Sequence, residues 1–168
     1  TWPTWPLVQQ WNLSDLAFLR ERARRLAAEV WVEDDTLHMA TRDQRRGNSV
    51  TLIQGSNLLQ LRLRADLAAQ RSKVVVGGFD DNDQDAIDEE AGDSAIAAEA
   101  QGNTHGVQVL DRAFGERVSY RVREVPLADA EASAMARAAL LGRARRFVTA
   151  SGVADGSTAI RVGSLLRL

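Results

Sequence analysis

His38 and His105 are the only histidines in the chain, and neither has the neighbours that a nucleophilic triad needs. His38 alternates with Leu37 and Met39 in a strand-like pattern, which predicts a solvent-facing side chain without a task. His105 lies in Gln101-Gly102-Asn103-Thr104-His105-Gly106, a loop by composition. Cysteine is absent, which removes disulfides, thiolate catalysis and Cys-based zinc sites together. No Gly-x-Ser-x-Gly elbow, His-Glu-x-x-His helix, phosphate loop or dinucleotide fingerprint occurs.

The nearest approach to a metal motif is Asp81-Asn82-Asp83-Gln84-Asp85, whose alternate oxygens imitate the start of a calcium loop. The glycine such a loop needs next is Ala86, and its closing glutamate is Gly92, so the geometry fails at both ends. The many carboxylates nearby could suggest glycoside hydrolysis. A general acid, however, must be desolvated to raise its pKa, and so polar a run desolvates nothing. Arg20, Arg22, Arg24 and Arg25 form a cationic cluster that could hold phosphate, although a solvated helix face has the same pattern. The expectation is a chain with no catalytic, cofactor-binding or metal-binding residue.

The elements that would position these groups are clear in places. Thr1-Trp2-Pro3-Thr4-Trp5-Pro6 predicts an extended lead-in whose tryptophans pack on something, because residues before proline avoid the helical region. Ser14 is a good N-cap and Asp15 favours the positive end of a helix dipole; Leu16, Leu19, Ala23, Leu26 and Val30 then recur at helical spacing. Residues 29–33 and 36–40 flank Asp34-Asp35 and read as a β-hairpin, with residues 42–48 as a polar connector. Residues 49–54 form the next strand. Over residues 58–67, Leu59, Leu61, Leu63, Ala65 and Leu67 alternate with Gln60, Arg62, Arg64 and Asp66, predicting a half-buried strand with a wet face.

Residues 73–76 give another strand ending at Gly77-Gly78, residues 106–114 a short helix, and residues 118–125 a strand that Pro126 ends. A second long helix is expected over 129–146, with Ala132, Met135, Ala136, Ala139 and Leu140 inward. Gly142 costs that helix about 1 kcal/mol relative to alanine, which predicts a close approach there. Residues 147–150 and 158–168 supply the last strands. Strands interrupted by single helices do not make repeated βαβ units. The expected fold class is α+β: an extended lead-in at 1–11, a small helix-plus-hairpin domain at 12–48, and an antiparallel β-barrel domain of tube type at 49–168 with an inserted long helix.

Charge is unevenly spread. Residues 1–76 carry 11 basic and 8 acidic side chains, residues 77–111 none and 10, and residues 112–168 10 and 5. The acidic middle, about 80–104, predicts a solvated excursion from the fold with short alanine-rich helical stretches. Clustered Lys/Arg with aromatic platforms is missing, so nucleic-acid binding is not expected. No apolar run is long enough to span a bilayer and no secretory leader is visible, so membrane insertion is not expected either. The start at Thr1 suggests a processed chain or a fragment. The terminal strand pattern, ending at Leu168, suggests that the natural protein continues.

The order of segments resembles the phage late control D family. The resemblance rests on Ser14-Asp15-Leu16-Ala17-Phe18-Leu19 with the strand behind it, on Gly78-Phe79-Asp80 after Val74-Val75-Val76, on Val125-Pro126-Leu127 before the alanine-rich helix, and on Arg161-Val162-Gly163. It covers most of residues 9–79 and 117–168. It implies a non-enzymatic baseplate hub subunit, related to the hub portion of type VI secretion spike proteins. The implied assembly is a homotrimeric ring joining the tail tube protein to the central spike protein, built in the cytoplasm and ending as a virion component. In such a ring Gln60, Arg62 and Arg64 would line a wet lumen; equally, they face solvent. The readings from other classes are a tail-associated cell-wall hydrolase or its regulatory domain, and an adaptor that binds a partner through the Leu168 edge strand.

Overall fold

The computed structural model describes residues 2–5, 7–45 and 47–168. Thr1 and Pro6 of the Thr-Trp-Pro repeat, and Arg46 of the polar connector, lie outside them.

Helix α1 (Asp15–Arg25) starts where its cap predicts: the Ser14 hydroxyl accepts the Ala17 N–H at 3.4 Å. Strands β1 (Ala28–Glu33) and β2 (Thr36–Thr41) form the expected antiparallel hairpin. Asp34 and Asp35 both have positive φ, 47° and 62°, as a two-residue turn with primed geometry requires. Ala23, Leu26 and Ala28 form a small apolar cluster that Trp5, Val30, Met39 and Ala134 cover. The lead-in therefore packs through Trp5, whose indole N–H donates to Glu131 at 2.8 Å. Trp11 instead stands in solvent, 75 % exposed.

The remaining strands are β3 (Ser49–Thr51), β4 (Leu58–Ala65), β5 (Lys73–Asp80), β6 (Asp85–Ala91), β7 (Val118–Arg121), β8 (Val148–Ala154) and β9 (Leu165–Arg167). Three more helices are α2 (Ser94–Ala100), α3 (Gly106–Phe114) and α4 (Asp129–Ala144). The core sheet has the order β6-β5-β7, with β6 antiparallel and β7 parallel to β5. Val74 and Val76 are fully buried in β5 and Val75 nearly so, because both faces of the strand are covered. Ala132, Met135, Ala136 and Leu140 bring the buried face of α4 onto β5 and β6, and with Ile87, Ile96 and Val107 they make the main core. No side chain caps the start of α4. The buried Glu131 carboxylate instead fastens the chain just before the helix, accepting the Leu127 N–H at 3.0 Å.

The chain is thus an α+β domain, as its patterning predicts, but the tube-type barrel is a misreading. Among the described residues the strands fall into four separate sheets, β1-β2, β3-β9, β4-β8 and β6-β5-β7, none closed into a barrel. Closure needs an unbroken circuit of paired strands. Here β4 pairs antiparallel with β8 and β3 pairs parallel with β9 across the length of the chain, and neither ladder joins the core sheet. Leu59 and Leu63 of β4 are consequently about 60 % exposed rather than half-buried.

The acidic excursion is corrected in part: its alanine-rich stretch is helical as expected, in α2, but the stretch before it belongs to the core sheet. Residues 85–91 form β6, which buries Ile87 and Ala91 while Asp85, Asp88 and Glu90 point outward. The calcium-like run is the connection of a β-hairpin. Asp80 accepts the N–H groups of Asn82 and Asp83 at 2.9 and 3.3 Å and uses its oxygen to make the turn. Strand β5 runs through Gly77-Gly78 to Asp80 rather than ending there. A Cβ at Gly78 would lie 2.7 Å from the Pro126 ring, so the glycine lets Pro126 pack onto the strand.

Candidate functional site

Two helices that carry arginine face each other. Helix α1 presents Arg20, Arg24 and Arg25, and the C-terminal end of α4 presents Arg143, Arg145 and Arg146, where cations also suit the helix dipole. Between them lies an open cleft of about 890 Å³, to which the β7 end adds Arg121 and Glu124 and β1 adds Glu29. Its floor is made of small apolar groups, Ala23, Ala27, Ala28, Ala138 and Ala139, with Met135. A Cβ at Gly142 would meet nothing within 4 Å. The glycine therefore lies on an open cleft wall and mediates no close approach, contrary to the expectation from its helical context.

Seven arginines line the cleft against three glutamates, a formal +4. Some are internally matched. Arg145 donates to both oxygens of Glu99, at 2.6 and 2.9 Å, and to the Ala27 carbonyl at 2.8 Å. Arg121 pairs with Glu124 at 2.5 Å and Arg25 with Glu21 at 3.5 Å. Among the described residues, Arg20, Arg24, Arg143 and Arg146 have no carboxylate within ion-pair distance.

Arg143 is the most crowded. Burial, then the like charges of Arg71, Arg121 and Arg146, hold its pKa below the usual arginine value. A guanidinium stays protonated regardless, so Arg143 presents a full positive charge to the cleft. Fully buried Gln70 fixes the backbone behind it by donating to the Arg143 carbonyl at 2.7 Å, while Arg143 itself reaches the Ala69 carbonyl at 3.3 Å.

Glu29 links the cleft to the hairpin. It accepts hydrogen bonds from Arg42, at 2.8 Å, and from Arg45. Burial pushes its pKa up, but the Arg42 hydrogen bond and the charges of Arg42, Arg45 and Arg145 outweigh it, leaving the carboxyl below the ordinary glutamate range. A depressed native pKa contributes stability that is complete above the unfolded value and is lost as the pH falls through the native one. Melting temperature should therefore drop on acidification from the ordinary glutamate range downward, and Glu29→Gln should flatten that limb. Identical acid limbs in wild type and variant would remove Glu29 from the cause.

The residues singled out by sequence fall elsewhere. Gln60, Arg62 and Arg64 lie on the exposed β4, outside the cleft and with no barrel around them. His38 is not the solvent-facing spectator expected: it is half-buried and stacks on Trp31, its cross-strand partner, at 5.1 Å between ring centroids. The Arg45 guanidinium lies 4.6 Å from the same indole. His105 is the extended residue just before α3, at the end of the expected loop, with Nε2 3.0 Å from Asp93. Among the described residues no group of three or more His, Cys, Asp or Glu could hold a metal ion. The α1 arginines were visible as a cluster; the second wall was missed. Its signal is the run Arg143-Ala144-Arg145-Arg146 closing a helix that packs against the first.

The family model described as the Alg8 N-terminal domain matches residues 1–168, the whole chain. The chain belongs to the Alg8 N-terminal domain family. No curated protein sequence matches it. The Alg8 family is one of glycosyltransferases of the family 2 type, which overturns the late control D resemblance and the baseplate hub role with it. The expectation of a non-enzymatic chain falls as well, because Alg8 is an enzyme family.

Localisation as a virion component is likewise withdrawn, since Alg8 proteins are membrane-associated. No described helix of this chain is long and apolar enough to cross a membrane. The trimer, tube and spike partners rested on the phage resemblance alone. That resemblance misled because its motifs have local causes. Ser14-Asp15 is a helix cap, and Gly78-Phe79-Asp80 is a proline contact followed by a turn.

Proposed function

We propose that this chain is the part of an Alg8-type glycosyltransferase that holds an anionic group of the sugar substrate or product, a phosphate or a carboxylate, in the cleft between α1 and α4. The observation that carries this reading is the cleft lining: Arg20, Arg24, Arg143 and Arg146 meet there with no carboxylate at ion-pair distance among the described residues. Planar guanidinium forks bind phosphate and carboxylate through two parallel hydrogen bonds. The alanine floor leaves space above which a sugar ring could sit while its charged group meets the arginines. Membership of a glycosyltransferase family supports a saccharide as the body of the ligand.

Calorimetric titration with inorganic pyrophosphate in one arm and glucuronate in the other tests it and separates the two anions. Binding in either arm should weaken as salt rises. Arg143→Ala should reduce affinity roughly ten- to a hundred-fold, as expected for one charge-assisted hydrogen-bonded group worth about 1.5–3 kcal/mol. Absence of heat in both arms at low salt, or an Arg143→Ala variant that binds as tightly as wild type, would overturn the proposal.

A further inference from the structure

Two open sheet edges on this chain carry opposite charge and matching length. Strand β6 is the outer strand of the core sheet, seven residues long, with Asp88 and Glu90 exposed beside Ala86. Strand β4 is eight residues long and pairs only with β8, apart from a single bridge at Leu58, so its other edge is unpaired from Gln60 to Ala65 among the described residues. Arg62 and Arg64 project from it, exposed along its length. Neither strand contains proline, the residue that cannot donate to a new ladder.

We propose that the β4 edge of one copy pairs with the β6 edge of the next, making this chain self-associate head to tail. The charge pattern selects this contact over its alternatives. Two β4 edges brought together would set arginine against arginine, and two β6 edges would set carboxylate against carboxylate; like charges directly opposite destabilise a ladder. Only β4 against β6 matches. The two-residue side-chain period lets Arg62 and Arg64 stand across from Asp88 and Glu90 in either direction of pairing. The existing partners of these groups are weak competitors. Arg64 meets Asp66 at 2.9 Å while 75 % exposed, and Glu90 meets Lys73 at 2.9 Å while 59 % exposed; such pairs contribute little. A contact between different patches does not close on itself after two copies, so it builds a ring or a filament.

Light scattering across a concentration series tests the inference in about 0.01 M and about 1 M salt, between which the screening length falls from roughly 30 Å to roughly 3 Å. At low salt the wild-type mass should rise with concentration to at least about twice that of one chain, and at high salt it should return to one chain. Arg62→Glu/Arg64→Glu and Asp88→Arg/Glu90→Arg should each stay single, while an equimolar mixture of the two associates, because every contact in the mixture is again between opposite charges. A wild type that is single at both salts would overturn the inference. So would association undiminished at high salt, a charge-reversed variant that associates as wild type does, or a mixture that remains single.

Discussion

Leu140→Ala should lower stability by about 2–5 kcal/mol, the range for removing a buried leucine side chain whose site cannot collapse. Leu140 is fully buried in the core between α4 and the sheet, with Val74, Val76 and Ile87 in the same cluster. Its neighbours on the helix are mostly alanines, short side chains that cannot swing in to fill the void. Denaturant titration should show the midpoint falling with the slope unchanged. The control is Leu127→Ala, where the side chain is 60 % exposed; this should cost no more than about 0.5 kcal/mol. A loss at Leu140 no larger than at Leu127 would mean that the α4–sheet contact is not the core.

Removing the charge of Arg145 should have an effect of comparable size. Its guanidinium holds three acceptors at once, both oxygens of Glu99 on α2 and the carbonyl of Ala27 beyond α1, so one side chain ties three segments together. The pair is mostly out of water, with side chains 16 % and 12 % exposed. Arg145→Met would leave the Glu99 carboxylate desolvated without its partner, for which about 3 kcal/mol is the lower end of the expected cost. Combining it with Glu99→Leu should recover part of the loss, since the orphaned charge disappears with the second change. Strict additivity in that cycle would show that the two groups do not interact. Unlike Leu140→Ala, this substitution also removes a charge from the cleft wall, so anion affinity should fall together with stability.

How far the fold could be read from the sequence depended on how local its causes were. The α1 cap at Ser14, the primed turn at Asp34-Asp35 and the inner face of α4 are set within a few residues, and all three were legible. The partner of β4 was not. Alternation of leucine and arginine says that a strand has two unlike faces, but β8 begins 83 residues after Ala65 and nothing in β4 names it. The acidic segment hid a core strand because Ile87 and Ala91 are separated by charged residues, and a density of carboxylates masks so thin an apolar stripe. The cleft was half legible. Arginines on α1 stand out in any reading, whereas the matching role of Arg143 exists only once α4 lies against α1.

The parallel ladder of β3 with β9 has a bearing on the order of events during folding. It joins Ser49 to Leu165 through three residue pairs, so a very long stretch of chain must be gathered for a small return in hydrogen bonds. Closure entropy grows with the length gathered, and contacts this distant in sequence form slowly. The hairpins can assemble from their own turns, and α4 can settle on the sheet, before these two strands meet. The ladder is held by only three residue pairs and joins no other sheet, so little is broken when it opens. In the native ensemble it is accordingly the first place to open, and its amides should exchange with solvent well before those of Val74 to Val76.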